Sequence, residues 1–148
     1  MFTNILIPTD GSELSVQAGH HAIALAKTFK AKATAVLVSP TFRQLMDEGF
    51  VGPMVSLSES EWEDSVTERA RAVLDAVAAE AKAAGVKCET VHVFRDQAYV
   101  AIIDAAKKND CDLIVMGSHG YGGFKQWVLG SETTRVLSHS KIPVLVYR

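Results

Sequence analysis

The sequence predicts an α/β fold: a single domain built on a five-stranded parallel sheet with helices on both faces. Two observations carry this. Strand-like and helix-like patterns alternate in the order βαβ, irregular stretch, αβαβαβ, and such alternation implies a parallel sheet covered on both sides. The first, second, fourth and fifth strand-like runs are short and nearly all apolar, as strands buried on both faces should be. A length of 148 residues fits one domain, and no repeat, low-complexity tract or linker divides residues 1–148.

Ile5-Leu6-Ile7 form the first strand, ended by Pro8-Thr9-Asp10-Gly11. Ser12 can cap a helix running to about Phe29, with Ala18, Ala22, Leu25, Ala26 and Phe29 on one face. Thr34 to Ser39 is the second strand, closed by Pro40. Residues 41–58 read as irregular, because Gly49, Gly52 and Pro53 interrupt any period. Ser58 or Ser60 can cap a long helix to about Ala84, on which Trp62, Val66, Ala70, Val73, Val77, Ala81 and Ala84 form one stripe. Gly85 stops it. Val86 to Phe94 is the third strand, and Asp96 can cap a helix to about Lys108 with Tyr99, Ile102, Ile103 and Ala106 facing inward. Residues 112–116 form the fourth strand, Glu132 to His139 the last helix, and Ile142 to Tyr147 the fifth strand.

The bulk composition is that of an ordinary globular protein, 48% hydrophobic and 22% charged. A formal net charge of −2 argues against nucleic acid as a partner, which usually demands a basic footprint. It gives no reason to expect a membrane surface either. Cys88 and Cys111 match no metal spacing and read as reduced thiols. No stretch approaches ~18 consecutive apolar residues, and the first residues lack the basic and apolar regions of a signal peptide. Cytoplasmic location is the expectation.

In open parallel sheets, ligands sit beyond the carboxyl ends of the strands, at the topological switch point. That rule selects Pro8, Thr9 and Asp10 after the first strand. It also selects Met116 and the glycine-rich loop after the fourth. Gly117, Gly120, Gly122, Gly123 and Gly130 fall within fourteen residues between a strand and a helix. Glycines let the backbone approach an anion closely, and free N–H groups at a helix start attract its charge. Ser131 can add a hydroxyl and an amide. The pattern favours phosphate binding over a merely flexible connection. Asp10 can serve ribose hydroxyls or a metal ion, or it can simply organise the Thr-Asp-Gly-Ser turn. His119 can touch phosphate or be a solvated loop residue. Glu132 suits the first turn of a helix, but its charge would repel a terminal phosphate unless a divalent ion lies between them.

Other phosphate-binding patterns do not fit. No Gly-Lys dipeptide occurs, so there is no P-loop. Only Gly11 follows the first strand, where a dinucleotide fingerprint needs three glycines. A receiver domain would need clustered acids at the first strand's end and an aspartate at the third's. His20 and His21 point about 100° apart on their helix, His92 and His139 read as structural, and no triad is evident.

The chain resembles the universal stress protein, or UspA-like, family over essentially its whole length. Phe2-Thr3-Asn4-Ile5-Leu6-Ile7-Pro8-Thr9-Asp10-Gly11-Ser12 is similar to that family's opening. Asp112 to Gly120 resembles its fourth strand and loop, and Ile142 to Tyr147 its last strand. The loop fits G-x-x-G, nine residues, G-[S/T], which marks the family's ATP-binding branch. The resemblance implies a Rossmann-like, adenine nucleotide alpha hydrolase-like sheet of order 3-2-1-4-5. It implies that Asp10 contacts ribose and that Val38 meets adenine through its backbone. Gly117, Gly120, Gly130, Ser131 and the amides of Glu132 and Thr133 would hold phosphates. It also implies ATP or another adenine nucleotide as ligand, with Mg or Mn, and a homodimer through the fifth strand, Pro143 to Tyr147. The family often has a small or apolar residue where Glu132 stands, and Phe94-Arg95-Asp96-Gln97 lacks its usual Gly-Asp-Pro. The expected function is a nucleotide-binding stress or regulatory module. The alternatives are a slow ATPase using Glu132, His119 or Asp10 as base, and a nucleotide-free dimeric interaction or chaperone-like protein.

Overall fold

A computed structural model describes residues 1–49, 57–120 and 129–148. The chain runs β1 (Asn4–Pro8), α1 (Glu13–Phe29), β2 (Lys32–Ser39), α2 (Phe42–Asp47), α3 (Glu59–Ala83), β3 (Cys88–Phe94), α4 (Ala98–Lys108), β4 (Leu113–Gly117), α5 (Ser131–His139) and β5 (Val144–Tyr147). The strands form one all-parallel sheet of order β3-β2-β1-β4-β5.

Side-chain alternation along each strand divides the core in two. Ile5, Ile7, Ala33, Ala35, Leu37, Leu113 and Val115 point to one face, where α1 and α3 cover them with Ala22, Ile23, Ala26, Leu74 and Val77. Leu6, Val36, Ile114 and Met116 point to the other, under Ile102 and Ala106 of α4 and Val136 of α5. Ile5, Leu6, Ile7 and Ile114 are wholly buried. Period-two alternation is therefore invisible in the central strands, since both faces are apolar.

The caps follow the sequence in most places. The Ser12 hydroxyl accepts from Ser15 N. Ser58, not Ser60, caps α3, and its side chain and that of Glu61 each accept from the other's backbone amide. Gly85 follows α3 at a φ of 77°, a left-handed angle that glycine adopts without a Cβ clash.

Three expectations are corrected. The stretch after Pro40 is not irregular throughout. Thr41 caps α2 by accepting from Gln44 N, and Phe42 packs against Trp62 at 5.5 Å between ring centroids. A helix of six residues is too short to show a period, so its cap and one aromatic contact decide it. Gly52 and Pro53 lie outside the described residues. Asp96 does not cap α4. The helix begins later, with Gln97 at the cap position and no side-chain bond there. Asp96 instead accepts from the Thr41 amide and hydroxyl, which ties the connection after β2 to the one after β3. The third strand also starts at Cys88 rather than Val86.

Cys88 and Cys111 are free, and burial pushes both thiols up, away from the reactive thiolate.

At the amino end of the sheet, Asp112 ties β4 to β1. Its carboxylate accepts from Thr3 N at 2.8 Å, Thr3 Oγ1 at 2.7 Å and Asn4 N at 3.2 Å, and its own amide donates to Asn4 O at 3.0 Å. Partial burial pushes this carboxyl up, but the donors from Thr3 and Asn4 together outweigh it and hold the group below its ordinary value. Hydrogen bonds to a charged group contribute about 1.5–3 kcal/mol, so Asp112→Ala should lower stability by about 2 kcal/mol in urea unfolding. The pH dependence follows from the depressed value. The contribution is complete above the unfolded carboxyl's pKa of about 4 and is lost as pH falls through the lower folded value. The stability gap between wild type and Asp112→Asn should hold from neutral pH down to about 4 and close below it.

Candidate functional site

β1 pairs directly with β4, Ile5 beside Leu113 and Leu6 beside Ile114. From β1 the chain moves outward through β2 to β3, then returns to build β4 and β5 on the opposite side. The switch point therefore lies between β1 and β4, and their carboxyl ends open a crevice there.

The Pro8-Thr9-Asp10 turn forms one wall. Thr9 is buried and its hydroxyl shares a hydrogen bond with Ser15 Oγ at 3.1 Å. Asp10 is exposed. Its Oδ1 accepts from Ser12 N at 2.9 Å, so the aspartate organises the entry to α1. Its Oδ2 lies against Gly120, where an added Cβ would collide with it. The acid after β1 and the loop after β4 thus meet across the crevice.

The two described ends of the loop after β4 are held to each other, to β5 and to α5. Ser118 N donates to Tyr147 O, Gly130 N to Ser118 O, and Thr133 Oγ1 to Gly117 O at 3.0 Å. A Cβ at Gly130 would sit 3.1 Å from His119 Cα, so this glycine permits close chain crossing. No side chain caps α5, and its first intrahelical bond runs from Thr134 N to Gly130 O. The amides of Ser131, Glu132 and Thr133 precede that bond and have no acceptor within the helix.

Between these walls lies a pocket of about 170 Å³. Val36, Val38, Ala98, Ile102 and Met116 make it apolar within, and Asp10, Gly117, His119, Gly120, Glu132 and Thr133 line it toward the glycine loop. Pro8, Thr9 and Ser15 complete the lining. The structure therefore brings together ten of the twelve residues expected from sequence. Gly130 and Ser131 stay outside the lining, the first packed on the loop and the second exposed at the start of α5. Gly122 and Gly123 lie outside the described residues. Ser15, Val36, Ala98 and Ile102 were not foreseen as site residues. Ile102 had been placed on an inward stripe, but only the sheet order shows that this stripe meets the crevice.

Glu132 is the main finding of the site. Its Oε2 accepts from Tyr99 N at 2.8 Å, and its Oε1 from Arg135 Nη1 at 3.0 Å. The carboxylate supplies the cap that Gln97 does not, bridging α5 to the first turn of α4. Its charge is shared with a helix N-terminus and a guanidinium. The pocket lining nevertheless holds two carboxylates, Asp10 and Glu132, and, among the described residues, no lysine or arginine. No group of three or more metal-ligating side chains occurs among the described residues, nor is any described helix long and apolar enough to cross a membrane.

The profile of the Universal stress protein family matches residues 1–148. The chain belongs to the universal stress protein family. It is 35% identical to universal stress protein MJ0531 of Methanocaldococcus jannaschii over 152 aligned positions, covering all of this chain and 83% of that protein. It is 31% identical to universal stress protein MJ0577 of the same organism, covering 100% of this chain and 96% of the relative. The solved structure of MJ0577 superposes with a TM-score of 0.78 at 30% identity, over 99% of this chain and 95% of that one. A universal stress protein solved in complex with cAMP shares the fold at a TM-score of 0.72 and 24% identity, over 99% of this chain and 97% of that one. The five-stranded order 3-2-1-4-5 is thus this family member's fold.

Loss of the Glu132 bridge should be measurable without any ligand. Glu132→Ala should lower stability by about 1–2 kcal/mol, the range for a lost helix cap, and should speed exchange of the Tyr99 amide in NMR.

Proposed function

We propose that this universal stress protein is an adenine-nucleotide-binding regulatory module of the cytoplasm, with ATP as its ligand. The observation that carries the reading is the meeting of Asp10 and Gly120 at the β1/β4 switch point, over an apolar pocket. The pocket's 170 Å³ suits one ring system rather than a whole nucleotide; an engineered cavity of about 150 Å³ holds benzene. An adenine ring fits between Val36, Val38, Ile102 and Met116, with Val38 backbone groups at its edge. Ribose then lies at Asp10. Phosphates extend over Gly117, Gly120 and the amides of Ser131, Glu132 and Thr133, where close backbone approach and the α5 dipole favour negative charge.

Among the described residues the lining offers two carboxylates and no basic side chain, which makes a bare triphosphate unfavourable there. A divalent ion, Mg or Mn, would offset that charge, and Asp10 is the lining carboxylate placed to hold it. Glu132 has both oxygens engaged with Tyr99 and Arg135, which supports a binding module over a hydrolase that uses Glu132 as its base. Copies would pair through β5, an edge strand on which Leu145 is 39% exposed. Pairing there would cover the unpaired backbone groups of that edge.

Calorimetric titration with ATP and Mg should give micromolar affinity, about −8 kcal/mol. Asp10→Ala should weaken it about 10–100-fold, as expected for lost charge-assisted hydrogen bonds. Asp10→Asn, which can keep the turn at Ser12, separates that loss from a misfolded turn. No binding at millimolar nucleotide would remove the proposal, and multiple-turnover phosphate release that vanishes in Asp10→Ala would turn it into an ATPase. Leu145→Lys should shift the protein from dimer to monomer in light scattering.

A further inference from the structure

The formal charge of −2 conceals a segregation of charge along the sheet axis. Lys27 and Lys30 close α1, and Lys32 opens β2. Lys82 lies in the last turn of α3, and Lys87 directly precedes β3. Lys107 and Lys108 end α4, and Lys141 stands shortly before β5. Because the sheet is wholly parallel, all eight lie at its amino end, opposite the pocket. These are all the lysines among the described residues, and each is exposed.

The carboxylates at that end are fewer. Glu80 is turned to His20, Glu89 sits 3.9 Å from Lys87, Asp112 is tied to Thr3 and Asn4, and Asp110 is exposed. Eight lysines against four carboxylates leave a formal charge of +4 on this face. Among the described residues, Lys87 alone of the eight has an ion-pair partner within 4 Å.

Helix dipoles account for part of this. Lys27, Lys82, Lys107 and Lys108 lie in last turns, where cations are favoured. Lys32 and Lys87 stand at strand starts beyond the last helical turns, and Lys141 follows Ser140, the C-cap of α5. The lysines reach from the β3 edge to the β5 edge, about 19 Å across five strands spaced roughly 4.8 Å apart, and they flank both faces of the sheet.

We infer that this end of the molecule is a docking face for an anionic phospholipid surface. Two features favour lipid over other anionic partners. All eight cations are lysines, compact and strongly hydrated point charges, whereas bidentate recognition of nucleic-acid phosphates favours the arginine fork. No described arginine lies there: Arg43, Arg69 and Arg71 belong to α2 and the middle of α3, Arg95 and Arg148 follow the carboxyl ends of β3 and β5, and Arg135 sits in α5. Among the described residues the face also has no cluster of exposed apolar anchors, since of their large exposed hydrophobic side chains only Met1 and Leu137 come near it. A protein interface depends on such anchors. A broad lysine face instead suits diffuse attraction to a charged bilayer, where each lysine contributes about 1 kcal/mol, or about fivefold. Docked this way, the molecule turns the β1/β4 pocket away from the membrane.

The test is sedimentation of the intact protein with phosphatidylcholine vesicles, with and without about a third phosphatidylglycerol, at low ionic strength. Binding should require the anionic lipid and fall as salt is raised. The Lys32→Gln, Lys87→Gln, Lys141→Gln triple variant should partition about a hundredfold more weakly. A triple variant of equal charge change elsewhere, Arg43→Gln, Arg69→Gln, Arg71→Gln, should bind nearly as wild type. Circular dichroism of both variants checks that they fold, as exposed substitutions should. Absence of binding to anionic vesicles, or equal loss in the two variants, would overturn the inference. Tighter lysine-dependent binding to duplex DNA or to polyglutamate in the same buffer would reassign the face to nucleic acid or to an acidic protein.

Discussion

The parallel pairing of β1 with β4 is the contact on which the candidate site depends. Only two residue pairs define it, Ile5 with Leu113 and Leu6 with Ile114, yet they join segments more than a hundred residues apart. Asp112 reinforces the amino end by gathering donors from Thr3 and Asn4. Wholly buried Ile5, Leu6 and Ile114 hold the middle. With the strands fixed there, their carboxyl ends diverge into connections that face each other. A side chain after β1 and a glycine after β4 then approach closely enough that a single Cβ would close the gap.

That geometry divides the site between apolar and polar tasks. The pocket interior is an extension of the core on the α4 side, since Val36, Ile102 and Met116 belong to the same buried cluster. Its polar side comes from backbone conformation, with few side chains taking part. Thr133 and Gly130 fold the loop onto itself through bonds to Gly117 and Ser118. Glu132 links α5 to α4 through Tyr99 N, so the helix whose first amides have no acceptor within it is braced by the helix that supplies part of the pocket's apolar wall.

The two ends of the sheet carry opposite chemistry because every strand runs in one direction and the long helices all run back in the other. Helix N-termini and glycine turns collect at the carboxyl edge, where anions are favoured. Helix C-termini collect at the other edge, and lysines gather with them. A net charge summed over the sequence averages these faces away, and only a common direction for the strands, with the opposite one for the helices, separates them.

Much of this protein was legible from its residues alone. Apolar runs such as Ile5-Leu6-Ile7 and Leu113 to Met116 marked buried strands, Ser12 and Gly85 marked helix ends, and the spacing of Gly117, Gly120 and Gly130 marked the loop. These are local features, in which a residue and its near neighbours determine the backbone. The single-residue errors were local too, but they were settled by distant partners. Asp96 lies beside a helix start that a sequence reader assigns to it, yet Thr41 takes its carboxylate. Phe42 begins a helix because Trp62 waits above it. Glu132 lines the pocket, but that its carboxylate bridges Tyr99 N and Arg135 shows only once α4 and α5 are packed together. The sequence by itself determined the elements, the α/β class and the glycine loop, because hydrophobic period and turn chemistry act over a few residues. Tertiary structure alone decided that Asp10 meets Gly120, that Val36 and Ile102 line the same pocket, and where each carboxylate spends its charge. Those facts depend on strand order, which brings together groups that the chain keeps far apart.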